Sequence, residues 1–161
     1  MKKVLFVLIV LSYMFMLGNL VHAQTVQSHE YTVTRAAMLT VVTIDVNGSP
    51  RNFVVDTGAQ ITLVTPSVLG KPLAAYRAAS NGTSTGSGIG GSAAVIYGKA
   101  DIAFGGLDLK NFDVVVIPGS MDKLSKATGI RIDGLLAQDI LARFGRVIFD
   151  YKAGKMIVES K

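Results

Sequence analysis

The stretch Phe53-Val54-Val55-Asp56-Thr57-Gly58-Ala59 places a carboxylate at the end of an apolar strand, immediately before a turn. A buried carboxylate is costly unless neighbouring amides and hydroxyls bind it, or unless a second carboxyl shares its proton. Thr57 supplies a hydroxyl, and Gly58 lets another group approach the backbone closely. This combination predicts acid–base chemistry centred on Asp56, although Asp, Thr and Gly are also common at an ordinary strand-to-turn junction.

The composition excludes several other kinds of chemistry. The chain has no cysteine, which excludes thiol catalysis and Cys-ligated metal. His29 is the only histidine after residue 23, so a His-rich metal site is excluded and a Ser-His-Asp arrangement has little support. We expect His29 to be solvated among its polar neighbours. Lys and Arg form no run or stripe, so no nucleic-acid partner is predicted. No metal and no cofactor are expected.

Residues 1–23 have the pattern of a secretory signal peptide. Lys2 and Lys3 precede the apolar run Val4–Leu17, and Val21-His22-Ala23 carries small residues at the cleavage positions. The run is shorter than the roughly 20 residues that a membrane-spanning helix needs. We therefore predict a protein exported to the periplasm or the extracellular space, whose formal charge falls from +5 to +3 when the two lysines leave. The alternative is a membrane anchor over residues 4–21, and only then is a membrane a partner.

The pattern of residues 24–161 predicts one all-β domain, because short strand-like runs are separated by Gly-containing turns. Polar residues 24–30 predict a loose N-terminal arm, and the domain itself is predicted over 31–161. Asn47-Gly48 and Gly105-Gly106 predict tight hairpin turns. Strands are predicted at 38–46, 52–55, 61–64, 94–104, 107–117, 132–136, 147–151 and 155–159, and short helices at 65–70, 121–128 and 137–144.

Residues 80–92 are almost entirely small, with five glycines among Ser, Thr, Asn and one Ile. One interpretation is a flexible surface loop, because small polar residues cannot build a packed core. The other is a hairpin lid that bends over a bound substrate. Its position about 30 residues after Asp56, between predicted strands, favours the lid.

Asp56-Thr57-Gly58-Ala59 resembles the active-site stretch of retropepsin-like aspartic peptidases, and the order of elements is similar along nearly all of 24–161. The resemblance implies an all-β, retropepsin-like acid-protease barrel, equivalent to one pepsin-like lobe, with a flap hairpin and one short C-terminal helix. It places the flap tip at Gly88, Ile89, Gly90 and Gly91. The pattern is most similar to the bacterial, exported, single-lobed members of this clan.

The resemblance also implies a loop-bracing motif of two apolar residues and a glycine, which packs beside the catalytic turn. Here the motif is Leu135-Leu136-Ala137, so alanine replaces the family glycine. Gly134 does not fill that role. We expect the added methyl to crowd the catalytic loop and to put catalytic competence in doubt.

In such peptidases two carboxyls share one proton, one activating a water and the other protonating the scissile carbonyl. No second Asp-(Thr/Ser)-Gly occurs here, so the resemblance implies a homodimer with Asp56 from each protomer. It assigns Thr57 to a hydrogen bond across the interface and Gly58 and Ala59 to the floor of the site. A peptide substrate would lie extended beneath the flap.

Three hypotheses stay open from the sequence. By the first, the chain is an aspartic endopeptidase. By the second it is a catalytically inactive binding or scaffold protein of the cell envelope on the same barrel, in which Asp56 is structural. By the third it is an unrelated β-barrel ligand carrier.

Overall fold

A computed structural model describes residues 26–70, 84–88 and 91–161. The predicted signal peptide or anchor lies outside the described residues. Two α-helices, α1 (Asp122–Thr128) and α2 (Gln138–Leu141), and a 3-10 turn at Pro66–Val68 accompany the strands. The strands are β1 (Ser28–Thr32), β2 (Thr34–Ala36), β3 (Leu39–Val46), β4 (Ser49–Val55), β5 (Leu63–Val64), β6 (Ser84–Gly88), β7 (Gly91–Phe104), β8 (Leu107–Val116), β9 (Gly134–Leu136), β10 (Arg146–Asp150) and β11 (Lys155–Glu159).

Eight strands form one sheet in the order β2-β3-β4-β9-β5-β8-β7-β6, and β1, β11 and β10 form a second sheet in that order. An additional antiparallel pairing between β3 and β7 closes the large sheet upon itself. The main apolar core fills the interior, with Val46, Phe53, Ile102 and Val116 fully buried there. A smaller cluster that includes Val41, Leu63 and Ile132 packs beside α1. The all-β, barrel-like architecture predicted from the sequence is therefore confirmed.

The arrangement of β4, β9 and β5 positions the candidate site. Strand β9 runs parallel to β4 and antiparallel to β5, and thus lies between two strands that are consecutive in sequence. The chain between β4 and β5 must therefore cross over the end of β9. That crossing is the loop 56–62, which begins with Asp56.

Gly134 permits this close arrangement at the start of β9. A Cβ atom at residue 134 would lie 2.3 Å from the carbonyl oxygen of Leu63 and 2.4 Å from Cε1 of Phe53. Only glycine fits between these two neighbours, because distances this short are steric overlaps. Gly134 thus has a structural function of its own, in the strand rather than beside the catalytic turn.

Most predicted boundaries are close to the observed ones. Asn47 and Gly48 have φ angles of 54° and 72°, and Gly105 and Gly106 have φ angles of 58° and 80°. Both pairs connect antiparallel neighbours, so both predicted hairpins are confirmed. Strand β5 is shorter than predicted, and α2 ends at Leu141 rather than near residue 144.

The predicted loose arm at 24–30 is wrong over Ser28–Glu30, which belong to β1. This strand pairs with β11 along its whole length, with Ser28 opposite Glu159. Its residues alternate between exposed and half-buried, which is the pattern of a polar strand covering a core edge. His29 is one of the half-buried residues, and its Nε2 atom is buried against Gly106, so the prediction of a solvated histidine is also wrong.

Among the described residues, no helix combines the length and hydropathy needed to cross a membrane.

Candidate active site

Asp56 lies half-buried at the end of β4, where the chain leaves the sheet. Its backbone N–H donates to the carbonyl oxygen of Leu136 at 3.0 Å, which extends the β4–β9 pairing by one residue. Its Oδ1 atom accepts the backbone N–H of Gly58 at 2.9 Å. Its other carboxylate oxygen accepts no hydrogen bond from the described residues. That oxygen is available to a water molecule or to another carboxyl group.

Gly58 allows the turn to close around the carboxylate. A Cβ atom at this position would lie 3.3 Å from Asp56 Oδ1, which is tighter than most real Cβ contacts. The backbone of Gly58 is outside the left-handed region, so the requirement for glycine is space and not conformation. The N–H of Gly58 can therefore reach the carboxylate without a methyl group pushing it away.

Thr57 lies at the tip of the turn with an exposed side chain. Its hydroxyl has no hydrogen-bond partner within the described part of the protomer, whereas its carbonyl oxygen accepts Nε2 of Gln138 at 3.0 Å. The backbone of Thr57 is thus held by Gln138 at the start of α2, and its hydroxyl is without a partner among the described residues. A hydrogen bond across a dimer interface stays a prediction.

The predicted bracing motif lies directly beneath the turn. Leu135 pairs with Val54 on one side and Leu63 on the other. Ala137 is fully buried with φ −109°, an extended conformation that alanine adopts without strain. After it, the N–H of Gln138 donates to the carbonyl oxygen of Ala59 at 3.0 Å. The methyl group of Ala137 therefore fits beside a loop that keeps its supporting hydrogen bonds.

Sequence reasoning missed the polar pair that supports the far end of the loop. Thr62 is fully buried, and its backbone N–H and hydroxyl donate to the two carboxylate oxygens of Asp139 at 2.8 and 2.6 Å. The same hydroxyl accepts the N–H of Ala137 at 3.2 Å. A buried hydroxyl must be hydrogen-bonded, so Thr62 among the apolar residues of the predicted strand 61–64 was the available signal.

The predicted flap corresponds to the hairpin of β6 and β7. Gly88 pairs with Gly91 at its end, so two residues connect the strands. Those two, Ile89 and Gly90, lie outside the described residues. A hairpin is therefore present where a lid was predicted, and its closing over a substrate stays a prediction.

A metal centre finds no support in the described ranges, where no three His, Cys, Asp or Glu side chains come together as ligands. The side chains gathered at the turn are a carboxylate, a hydroxyl and an amide, which suit proton transfer. What the arrangement can do is to hold a carboxylate rigidly, with one oxygen bonded to the protein and the other open.

Comparison with known proteins gives two results that agree with this geometry. The sequence model of a family described as aspartyl protease matches residues 42–140, which is more than half of the chain. A retropepsin-like aspartic protease from Rickettsia conorii superposes with a TM-score of 0.56 at 23% identity, over 84% of this chain and 92% of that one. Comparison with curated protein sequences gave no match.

Two further solved structures are more distant. The EIAV protease, in complex with the inhibitor HBY-793, is 19% identical with a TM-score of 0.41, over 63% of this chain and 84% of that one. The retroviral protease-like domain of Ddi1 from Leishmania major is 16% identical with a TM-score of 0.42, over 71% and 82%. The matched range contains the Asp56 turn, β9 and most of α2, and the fold is shared with the Rickettsia protein. The chain therefore belongs to the aspartyl protease family and has its retropepsin-like fold.

Proposed function

We propose that this protein is an aspartic endopeptidase whose active site contains Asp56 from each of two protomers. One observation carries the proposal. Asp56 is held at the crossing loop by Gly58 and Leu136, with one carboxylate oxygen left open. In the dyad, the ionised carboxylate takes a proton from water while the protonated one donates to the scissile carbonyl oxygen.

The second carboxyl is proposed to come from another chain. Asp139 supports the same loop, but it accepts two hydrogen bonds from Thr62. Within the described residues, therefore, Asp139 is not free to share a proton with Asp56. Two like charges in contact do not both ionise, so a pair of Asp56 side chains would titrate as one unit.

The substrate is proposed to be an extended peptide or protein segment, bound through its main chain beneath the β6–β7 hairpin. A short hairpin of glycines suits this function because it can approach a peptide backbone closely. The apolar segment after Lys2 and Lys3 supports export of the protein, and thus extracytoplasmic substrates. Retention of that segment would instead anchor the active site at a membrane.

The test is hydrolysis of a mixed peptide library by the purified protein between about pH 4 and pH 7, with and without a pepstatin-type inhibitor. Asp56→Asn removes the general base while nearly preserving shape, so we expect cleavage to disappear. Asp45→Asn is the matched control, because Asp45 is an exposed carboxylate on β3. That variant is expected to cleave like the wild type.

Equal cleavage by the wild type and Asp56→Asn would contradict the assignment of Asp56. No cleavage by a folded dimer would instead support the second hypothesis, a binding or scaffold protein of the cell envelope on the same fold. Ala137 would then be the first residue to replace with glycine.

A further inference from the structure

Arg51 occupies a core-facing position in β4, where a charged residue is unexpected. Phe53, two residues further along the strand, is fully buried, and Ile44, directly opposite Arg51 in β3, is buried too. Because side chains alternate between the faces of a strand, Arg51 and Phe53 share the inner face. The Arg51 side chain is only 24% exposed. Arg51 therefore lies toward the end of β4 that is opposite Asp56, with about 16 Å between the two Cα atoms along the strand.

The guanidinium of Arg51 has almost no partners. Its Nε atom is buried and makes no hydrogen bond, and no other atom of its side chain makes one within the described residues. Its ion pair with Asp133 is long, with 3.9 Å between Nη1 and Oδ1. An arginine has five N–H donors, and leaving them unpaired at a partly buried site costs free energy.

The local charge is positive because one carboxylate lies between two arginines. Oδ1 of Asp133 accepts Nε of Arg131 at 3.0 Å, and its Oδ2 accepts the backbone N–H of Asn52 at 3.2 Å. Asp133 is buried and is shared between the two arginines, and its contact with Arg51 is the longer one, at 3.9 Å. One positive charge remains in excess at this place, and it favours an anion.

A cavity of about 620 Å³ opens in front of Arg51, and its wall supplies further donors. Lys99 lines it, with Nζ 2.5 Å from Oδ1 of Asp113 in an exposed ion pair that is exchangeable at little cost. The side-chain amide of Asn111 lines it too and makes no hydrogen bond with the described residues. The size is within the range of small-molecule sites, and all three side chains can donate hydrogen bonds to an oxyanion.

We propose that this cavity is a second binding site, which takes a small molecule bearing an oxyanion, either a phosphate or a carboxylate group. Arg51 binds two of the anion's oxygens through its fork of N–H groups. The ammonium of Lys99 leaves its ion pair with Asp113 and binds the anion instead. Asn111 donates its amide N–H to the anion. The site lies at the other end of β4 from Asp56, and its occupation does not depend on peptidase activity.

The test is an NMR titration of the full-length protein with inorganic phosphate and, separately, with acetate. We expect saturable shifts of the Arg51 Nε–H resonance and of the Lys99 and Asn111 backbone amides. Arg51→Gln should weaken binding about tenfold or more, and Lys99→Gln should weaken it less. Arg35→Gln is the matched control, because that exposed guanidinium lies over the Tyr151 ring at 5.2 Å.

The stronger of the two responses identifies the anionic group that the site prefers. Asp56→Asn should bind like the wild type, which separates this proposal from the peptidase proposal. Equal affinity in the wild type and in both the Arg51 and Lys99 variants would overturn the inference. So would the absence of any saturable response at Arg51 to either anion in the wild type, a result that does not depend on the folding of any variant.

Discussion

At the scale of single residues, the geometry of the turn depends on the absence of a side chain at Gly58. A Cβ atom there would lie 3.3 Å from Asp56 Oδ1, so Gly58→Ala must move the carboxylate by a few tenths of an ångström. Catalysis is sensitive to such displacements, and we expect kcat/KM to fall about tenfold. Steady-state peptide hydrolysis measures the effect. Thermal unfolding should change little, because residue 58 is not among the residues with a positive φ angle. An unchanged kcat/KM would contradict the steric argument.

Thr62 is the residue whose loss should loosen the loop without touching its catalytic end. Thr62→Val leaves Asp139 Oδ1 and the N–H of Ala137 without their partner in a buried place. Leaving buried polar groups unpaired should lower the free energy of unfolding by about 2 kcal/mol.

Urea denaturation of Thr62→Val beside Thr43→Val measures that cost. Thr43 carries the same hydroxyl on an exposed position, where it donates to Asn52 Oδ1 at 3.0 Å. We expect the Thr43 variant to stay within about 0.5 kcal/mol of the wild type. Equal losses in the two variants would show that the Thr62–Asp139 contact has no special weight.

At the scale of elements, the sequence predicted strands and turns better than the pairing between them. Asn47-Gly48 and Gly105-Gly106 determine local geometry, so their hairpins follow from a few adjacent residues. The insertion of β9 between β4 and β5 joins residues about 80 positions apart, as in the pairing of Phe53 with Gly134. No local pattern specifies such a contact, and the family resemblance indicated only that Leu135, Leu136 and Ala137 pack beside the catalytic turn.

The candidate site was predicted in the same uneven way. Asp56 and Gly58 lie two residues apart and are recognisable from the sequence around them. Asp139 and Thr62 are far apart in the sequence, and only the fold brings them into hydrogen-bond contact. Strand β1 was missed because its polar residues resemble a solvated arm until β11 is known to lie beside it. Arg51 likewise looks like a surface residue until its face of β4 is known.

Gly134 tests whether the insertion of β9 tolerates any side chain. In Gly134→Ala the methyl group would overlap the Leu63 carbonyl and the Phe53 ring, and both are held in place by the sheet and core. We expect a loss of more than about 4 kcal/mol, enough to leave little folded protein.

Gly48→Ala is the control for the Gly134 variant. Its Cβ would meet nothing within 4 Å, although the φ angle of 72° is unfavourable for alanine. That strain should cost about 1–2 kcal/mol. Circular dichroism and urea denaturation compare the two variants, and similar stabilities would contradict the tight packing of β9.

The small sheet should show a dependence on pH through its terminal ion pair. The hydrogen bonds that Glu159 accepts from Arg146 lower its pKa below the ordinary value of 4.5. Burial raises the pKa in part, and the positive charge of Arg146 lowers it further. A lowered pKa in the folded state stabilises the protein above pH 4.5, and the contribution is lost as pH falls through the lowered pKa.

Glu159→Gln should therefore be less stable than the wild type near neutral pH, and the difference should fade in acid. Urea midpoints at several pH values measure it, with Asp45→Asn as an exposed acidic control. A difference that stays constant from neutral pH into strong acid would mean that the ion pair is not its source.

At the scale of the whole molecule, the proposed function requires a symmetric dimer, because each protomer contributes Asp56 as one half of the pair of carboxyls. Activity per protomer should then be constant at high concentration and fall in proportion to concentration on dilution below the dimer dissociation constant. A ninefold excess of Asp56→Asn protomers should leave about a tenth of the wild-type protomers in fully active pairs, and activity should fall to about a tenth. The same excess of Asp45→Asn, which is itself expected to be active, should instead raise total activity about tenfold. If activity per wild-type protomer is unchanged both on dilution and in the presence of excess Asp56→Asn protomers, one protomer contains a complete site.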